Sequence, residues 1–346
     1  MELRTEKVIR EIKERRASVV GLQMPEGLKT RALEMARQLE EATGCQVIVL
    51  GDPCYGACDL YSSDGIDLLV HVGHTPIPEL RPHLPTLFLE VRIDFDVVDA
   101  LSKNIDRIPT RVGLVATAQH LHLLSMAESA LRERGREVYI GRGDARIAAA
   151  GQVLGCNVTS AQVLEGKVDQ FIFLGSGYFH PMAVALATGL PVLSMDPYRE
   201  AVDDVRERRD KVLRQRYAAI SKAMDAQDWL VIACDKPGQR RLPLAKRCLD
   251  QLRAAGRKAD LLLLNEIRVE YLLPFRAQAA VSTACPRLTI DDGPHYTPPL
   301  LTPPEMEMVL GVRDMEDYRL DQVLAGDTPF GPPVPYRFSC KGSPSH

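Results

Sequence analysis

The chain has 346 residues, of which 45% are hydrophobic and 26% are charged, and its formal net charge is -3. Because this length exceeds that of one ordinary hydrophobic core, we expect two or three compact domains. The nearly balanced charge excludes a strongly basic protein, so we expect no direct binding to nucleic acid. The sequence shows no long apolar run and no apolar leader, which predicts a cytoplasmic protein without a membrane segment.

Strand patterns recur in three successive units, with helix patterns between them. The predicted strands of the first two units lie at 17–22, 46–50, 67–72 and 86–91, then at 111–116, 137–141, 169–174 and 191–195. A charged helix predicted over 200–226 leads to the third unit, with strands at 229–233, 258–264 and 279–283. Strands separated by helices predict parallel sheets that are covered on both faces.

This recurrence predicts an α/β fold of three similar, doubly wound, Rossmann-like domains that arose by internal triplication. We place these domains at residues 1–105, 106–200 and 201–325. The sequence is rich in proline after Asp292. It predicts a segment that wraps over the surface and then a loose tail over 326–346.

Three cysteines lie in loops at the carboxyl ends of predicted strands, where open parallel sheets bind ligands. Cys58 follows the strand at 46–50, Cys156 follows the one at 137–141, and Cys285 follows the one at 279–283. No local motif joins them, so only convergence of the three domains would bring them together. Three thiolates at one point could hold three irons of a 4Fe-4S cluster and leave the fourth iron open to a ligand.

The remaining cysteines suggest other roles. Cys45, Cys234 and Cys248 are expected to be buried structural thiols, and Cys340 lies in the predicted tail.

Cys54 leaves an alternative open, because Cys54, Cys58, His71 and His74 together could form a zinc site. Against zinc, the two cysteines lack the C-x-x-C spacing of structural sites. The usual radical-enzyme motif C-x-x-x-C-x-x-C is also incomplete, since Tyr61 occupies its third position.

Eight residues in predicted loops are candidates for contacting a small ligand through backbone amides or polar side chains. They are Glu26, Gly175, Ser176, Gly177, His180, Gln239, Asp291 and Asp292. Ordinary turns and helix caps explain the same residues equally well.

Several dispersed segments, in this order, resemble the 2-(3-amino-3-carboxypropyl)histidine synthase family of diphthamide biosynthesis, in its archaeal homodimeric form. They include MPEGL at 24–28, GD at 51–52, YGACD at 55–59, HVGH at 71–74, LGCN at 154–157, GSG at 175–177, ACPR at 284–287 and IDD at 290–292. The resemblance covers about residues 15 to 320.

The resemblance implies a noncanonical radical S-adenosylmethionine enzyme whose 4Fe-4S cluster has one open iron and is held by Cys58, Cys156 and Cys285. Cleavage of the Cγ–S bond would yield 5′-methylthioadenosine and a 3-amino-3-carboxypropyl radical, which adds to C-2 of a histidine in translation elongation factor 2. The resemblance also implies an electron donor, a homodimer, and an S-adenosylmethionine pocket formed by the eight candidates above. Cys54 matches no ligand position.

Two alternatives remain at this point. The chain could be a non-catalytic iron–sulfur electron-transfer partner subunit, or a zinc-binding α/β protein.

Overall fold

A computed structural model describes residues 5–198 and 201–328 of the chain. Within these residues, the strands form three separate sheets that follow one another along the sequence. The strands are β1 Val19–Gln23, β2 Gln46–Val49, β3 Leu68–Val72, β4 Thr86–Leu89, β5 Arg111–Ala116, β6 Glu137–Tyr139, β7 Gln170–Leu174, β8 Val192–Asp196, β9 Ala201–Asp204, β10 Asp228–Cys234, β11 Lys258–Leu264, β12 Ala279–Ser282 and β13 Leu300–Leu301.

Helices connect most of these strands. They are α1 Thr5–Arg15, α2 Ala32–Thr43, α3 Val97–Lys103, α4 Leu124–Arg132, α5 Thr159–Gln162, α6 Phe179–Thr188, α7 Arg206–Ala223, α8 Leu242–Ala254, α9 Val269–Leu272, α10 Arg287–Ile290 and α11 Pro303–Val309. Short 3-10 helices lie at Glu26–Arg31, Ile105–Arg107, Ala118–Leu123, Pro237–Gln239, Leu273–Phe275 and Gly293–His295. Along the described ranges, no helix combines the length and apolar character needed to cross a bilayer.

The three sheets share one strand order. The first is β2-β1-β3-β4, the third is β11-β10-β12-β13, and both are parallel throughout. The second sheet is β6-β5-β7-β8-β9, in which only β9 runs antiparallel to its neighbour. The α/β fold with parallel sheets is therefore confirmed. The shared order is consistent with the predicted triplication.

The central strands are apolar on both faces, as parallel sheets between two helix layers require. In β7, Phe171 and Phe173 pack into one buried cluster, whereas Ile172 and Leu174 pack into another on the opposite face. The strand β10 divides in the same way between two clusters of the third sheet. Each domain thus has its own core, and the loops at the carboxyl ends of its strands remain available for a site.

The predicted helix over 200–226 is partly wrong, because its first part forms the strand β9 and the helix α7 begins only at Arg206. The side chain of Asp204 accepts a hydrogen bond from the backbone N–H of Arg206 at 2.9 Å, which forms an Asx-type turn between the strand and the helix. The second sheet therefore extends to Asp204, while the domain boundaries stay predictions.

The surface segment predicted after Asp292 is wrong for residues 300–309. There β13 pairs with β12, and α11 packs into the core of the third sheet. Thr302 and Glu305 form a capping box at the start of α11, and prolines occupy its first turn, where a missing N–H costs nothing. The tail beyond residue 328, including Cys340, lies outside the described residues.

Candidate functional site

The three predicted cysteines, Cys58, Cys156 and Cys285, are here called the cysteine group. They follow β2, β6 and β12, one in each sheet, and each retains partial solvent exposure. Burial is nevertheless the largest cause that raises the pKa of every one of these thiols. The three sulfurs are thus partly accessible and strongly desolvated, and the space that they border is here called the cleft.

Electrostatic repulsion connects the members of the cysteine group. After burial, Cys58 is the next cause that raises the pKa of Cys156, to about 12. After burial, Cys156 and Cys58 both raise the pKa of Cys285 well above its ordinary value. Such mutual repulsion requires proximity in a poorly hydrated space. The fold therefore brings together three thiols from three domains.

Gln239, one of the ligand candidates, bridges two members of the cysteine group. Its Nε2 donates to the Cys58 sulfur at 3.5 Å, and its Oε1 accepts from the backbone N–H of Cys285 at 3.3 Å. The N–H of Gly238 donates to the Cys58 carbonyl at 2.9 Å, and a Cβ at Gly238 would lie 2.4 Å from the Cys58 Cα. A loop of the third sheet thus packs directly on the first cysteine loop.

Arg146 is a site residue that sequence reasoning missed. It is fully buried, donates from Nη2 to the Gly238 carbonyl at 3.0 Å and from Nη1 to the Thr328 hydroxyl at 2.8 Å, and lies 3.9 Å from the Glu79 carboxylate. Its charge lowers the pKa of the thiols of the first and second cysteine loops. No motif around it in the sequence signals this role.

A second cation lies beside the first cysteine loop. Lys236 forms ion pairs with Asp59 at 2.7 Å and with Glu266 at 3.1 Å, and its charge also lowers the pKa of Cys58. Because Asp59 directly follows Cys58, this pair holds the first loop against the third domain. Sequence reasoning missed Lys236 as well.

The second cysteine loop is held by the end of the described chain. The backbone N–H of Val323 donates to the Cys156 carbonyl at 2.8 Å. Asn157 donates to both carboxylate oxygens of Asp144, at 3.1 and 3.0 Å, and to the Val323 carbonyl at 3.0 Å. The residues after the third sheet therefore belong to the site's framework.

His180 lies beside the second cysteine loop. Its ring stacks on Phe173 with centroids 6.1 Å apart, and a Cβ at Gly155 would lie 3.4 Å from its Cδ2. Burial, then Arg287 and His74, lower the pKa of His180 to about 4. The imidazole is therefore neutral at physiological pH and is partly exposed to the cleft.

The glycine-rich turn at 175–177 leads from β7 to α6. Gly175 is buried, whereas the next two residues are exposed. Gly177 has a φ of 77°, which favours glycine, and its N–H points to the Asp196 carboxylate at 3.3 Å. Glu26 is exposed and forms an ion pair with Lys29, so its described contact is local to the first loop.

The acidic candidates after Cys285 also have local partners. Asp291 forms an ion pair with Arg287, one turn earlier in α10, and burial raises its pKa. Asp292 is exposed and directly precedes the 3-10 helix Gly293–His295. Asp291 also borders a cavity of about 340 Å³ between α6, α7 and α10, whose wall includes Phe179.

A second group, Cys54, His71 and His74, lies within the first domain and is here called the histidine group. Its potential ligand atoms all lie within 4.8 Å of one another. His71 Nε2 lies 3.0 Å from His74 Nδ1, and His71 Nδ1 lies 2.9 Å from Gln23 Oε1. These are three of the four residues of the zinc alternative, and the fourth, Cys58, bonds to Gln239 instead.

The structural thiols behave as predicted. Cys45, Cys234 and Cys248 are buried and free.

Comparison with known proteins places this geometry in a family. A family model described as "Putative diphthamide synthesis protein" matches residues 24–319. The chain is 40% identical over 341 residues to the 2-(3-amino-3-carboxypropyl)histidine synthase of Pyrococcus horikoshii, covering 95% of this chain and 97% of that protein. It is 33% identical to subunit 1 of the Homo sapiens synthase, covering 88% of this chain and 70% of that subunit.

A solved structure shares the fold. It is described as the crystal structure of Dph2 from Pyrococcus horikoshii with a 4Fe-4S cluster. The match has a TM-score of 0.86 at 39% identity and covers 94% of each chain. This chain therefore belongs to the diphthamide synthesis family.

Proposed function

We propose that this chain transfers the 3-amino-3-carboxypropyl group of S-adenosylmethionine to C-2 of a histidine in translation elongation factor 2, as the first step of diphthamide synthesis. The chain is a 2-(3-amino-3-carboxypropyl)histidine synthase, as are its named relatives. The observation that supports the proposal is the proximity of Cys58, Cys156 and Cys285: Gln239 hydrogen-bonds to the first and the third, and Cys156 is electrostatically coupled to both.

We propose that these three thiols hold a 4Fe-4S cluster with one open iron, which agrees with the cluster named for the Pyrococcus horikoshii structure. The donor set fits, because iron–sulfur clusters are held by cysteine thiolates, and three of them leave one iron free. When bound, such a cluster supplies one electron to the sulfonium and breaks its Cγ–S bond.

The chain's own residues prepare this site. In the metal-free protein the thiols are protonated at neutral pH, since burial raises their pKa, so cluster assembly must release protons. The hydrogen bond from Gln239 lowers the pKa of Cys58, and so does the charge of Arg146. Both residues therefore favour the thiolate that iron requires.

For S-adenosylmethionine, we propose the pocket formed by Glu26, Gly175, Ser176, Gly177, His180, Gln239, Asp291 and Asp292. Two of these have the strongest support from contacts. His180 lies beside the second cysteine loop, and Gln239 touches the first and third. The turn at 175–177 offers exposed backbone for an approaching ligand, whereas the described contacts of Glu26 and of the two aspartates are local.

Metal content tests the cluster. Protein purified without oxygen should be brown and contain roughly four irons per chain. Cys58→Ala, Cys156→Ala and Cys285→Ala should each lose most of this iron, whereas Cys248→Ala, at a buried thiol outside the cleft, should keep it. Colourless protein with stoichiometric zinc would contradict the proposal and support the zinc alternative.

The histidine group is the specific observation that favours zinc, because its three ligand atoms are close enough for one ion. In that case zinc should disappear in His71→Gln and remain in Cys285→Ala. The proposal predicts the opposite pattern for iron.

Catalysis is tested with the chain alone, dithionite, S-adenosylmethionine and elongation factor 2. We expect a mass gain on the factor together with release of 5′-methylthioadenosine. An iron-loaded chain that gives neither product would be a non-catalytic electron-transfer partner subunit. The same proposal includes a physiological electron donor that takes the place of dithionite. It also includes a cytoplasmic location, because elongation factor 2 acts in the cytoplasm.

We also propose a homodimer, for which the edge of the third sheet offers a surface. Within the described residues, β11 is an edge strand hydrogen-bonded to β10 alone, and it exposes Leu261 and Leu263. Tyr271, Leu273 and Phe275, which follow β11 in the chain, are exposed as well. An unpaired edge with exposed apolar side chains favours pairing with a second copy.

Light scattering tests this surface. Leu261→Lys combined with Leu263→Lys should convert a dimer into a monomer, whereas Leu33→Lys, on the exposed face of α2, should not. A dimer that survives the double substitution would place its interface elsewhere.

A further inference from the structure

A chain of hydrogen bonds runs from the first cysteine loop to His74. The carbonyl of Asp59 accepts from Gln23 Nε2 at 2.7 Å, and the backbone N–H of Tyr61 donates to Gln23 Oε1 at 3.4 Å. A carbonyl can only accept and a backbone N–H can only donate, so both ends of the Gln23 amide are assigned independently. Gln23 Oε1, 2.9 Å from His71 Nδ1, must therefore accept a proton from that nitrogen.

This assignment determines the tautomers of both histidines. Burial lowers the pKa of His71 to about 3 and that of His74 to about 4, so both rings are neutral, with one donor and one acceptor each. Since His71 Nδ1 carries the proton, His71 Nε2 accepts from His74 Nδ1 at 3.0 Å. His74 Nε2 is left with a free lone pair.

The free end of this chain lies at the contact between the first and second sheets' loops. His71 is fully buried, whereas His74 is partly exposed. Thr75, directly after His74, accepts a hydrogen bond from Gln152 Nε2 at 2.7 Å, so His74 lies where the first sheet's loops contact the part of the chain that carries Cys156. The other end is the carbonyl next to Cys58. A basic nitrogen of defined orientation is thus held between the first cysteine loop and the part of the chain that carries Cys156.

We infer that His74 is the base that removes the C-2 proton of the acceptor imidazole after the new carbon–carbon bond has formed. This inference rests on the proposed function. Addition of the 3-amino-3-carboxypropyl radical to C-2 forms that bond and leaves C-2 with its hydrogen and the ring with an unpaired electron. Aromaticity returns when the C-2–H bond breaks, the proton moves to His74 Nε2, and the electron passes to the oxidised iron–sulfur cluster.

The hydrogen-bond chain suits this role. A base in a catalytic site must present its lone pair at the moment of transfer, and the Gln23–His71 pair prevents His74 from turning its N–H toward the acceptor. A weak base is sufficient, because the proton leaves a tetrahedral carbon and its loss restores an aromatic ring. His71 and Gln23 act through His74 and are positioning residues.

The first test needs no turnover. Nitrogen-15 NMR of the metal-free protein should show His74 protonated at Nδ1 and bare at Nε2, and Gln23→Leu should disturb this tautomer. A His74 protonated at Nε2 would overturn the inference.

The second test is the ratio of modified elongation factor 2 to released 5′-methylthioadenosine. In His74→Ala this ratio should fall about 100-fold, the contribution expected of a general base, and added imidazole should restore it. His83→Gln, at an exposed histidine paired with Asp64, should keep the wild-type ratio. His74→Gln, which has no basic nitrogen, is measured alongside as a second variant, with iron content checked in both.

The outcomes separate the two proposals. Wild-type protein that releases no 5′-methylthioadenosine and modifies no acceptor would refute the proposed function. If the wild type is active and both His74 variants keep its ratio, the function stands and His74 is not the base. A fall that imidazole cannot reverse and that deuterium at C-2 leaves unchanged would also overturn the inference, since it indicates a structural role.

Discussion

The histidine group and the cysteine group are built in opposite ways. The histidine group lies within the first domain, and its two imidazoles are hydrogen-bonded to each other and to Gln23. The cysteine group takes one thiol from a loop after each of three sheets, and its sulfurs are desolvated and would repel one another as thiolates. The histidine group is a polar network whose hydrogen bonds are satisfied within the protein. The cysteine group is a set of metal ligands that needs bound metal to balance the charge of its thiolates.

This difference predicts different sensitivities. A perturbation of the contacts between domains should damage the cysteine group and spare the histidine group. A perturbation that protonates the neutral, buried imidazoles should damage the histidine group and spare the cysteine group.

The largest effect is expected from removal of one thiol. Cys156→Ala should lower iron content and reduce acceptor modification by more than about 100-fold. Loss of a residue that only hydrogen-bonds to a metal ligand already lowers metal affinity or activity by about 10- to 100-fold, and loss of a ligand should do more. Cys54→Ala, in the histidine group, is the matched control and should keep the iron. Iron analysis and mass spectrometry of the factor measure both. Equal iron loss in the two variants would contradict the prediction that only the cysteine group holds the iron.

Arg146→Met should destabilise the contacts between domains. It leaves the buried Glu79 carboxylate without its cation and removes the hydrogen bond to the Gly238 carbonyl. We expect the free energy of unfolding to fall by about 3–5 kcal/mol, measured by urea denaturation. Arg10→Met, at an exposed ion pair, should change it by less than about 0.5 kcal/mol.

Adding Glu79→Gln to Arg146→Met should recover part of the loss, because the stranded charge is then removed. No recovery would mean that packing, rather than the unpaired carboxylate, causes the effect.

Acid should act on the histidine group. Burial lowers the pKa of His71 from 6.5 to about 3 and that of His74 from 6.5 to about 4, so below pH 6.5 the unfolded chain binds protons that the folded chain does not. Stability is therefore lost as the pH falls from 6.5 toward 3, by at most about 1.4 kcal/mol per pH unit for each histidine. Urea denaturation across this range measures the slope.

His74→Gln should flatten that slope, because it removes one titrating ring and relieves the repulsion on the other. Gln38→Leu, on the exposed face of α2, removes no titrating group and should leave the slope unchanged. Parallel curves for His74→Gln and the wild type would argue that protonation of His74 is not coupled to folding.

The smallest effect is expected at Gln239. Gln239→Leu removes the hydrogen bonds to the Cys58 sulfur and from the Cys285 N–H. The stability of the metal-free protein should fall by about 1 kcal/mol. The pKa of Cys58 should rise further in thiol titrations, because this hydrogen bond is the largest cause that lowers it. The control is Gln38→Leu, on the exposed face of α2. An unchanged pKa of Cys58 in Gln239→Leu would contradict the hydrogen bond between Gln239 and the Cys58 sulfur.

Much of the fold was predictable from local pattern. The sequence predicts strands such as Arg111–Ala116 and Lys258–Leu264 with their observed bounds, because short apolar runs between turns indicate strands. The strand β13 and the helix α11 were missed, because prolines around them suggested a surface segment. The strand β9 was hidden by the charges that precede α7.

The site was predictable only in part. Each member of the cysteine group follows a predicted strand, and Gln239 lies in a similar loop, so the sequence alone identifies these residues as candidates. Arg146 and Lys236 carry no such signal, since an arginine or lysine in a loop is usually solvated, and only burial against another domain reveals its partners.

The amino-acid sequence by itself determined the alternation of strands and helices, the chemistry of the thiols and the position of each along its own strand, because these depend on residue type and short-range periodicity. Only the tertiary structure decided that Cys58, Cys156 and Cys285 meet, that Gln239 and Arg146 join their loops, and that His74 keeps a free lone pair. Those features depend on contacts between residues far apart in the chain, where burial removes water and makes each polar partner count.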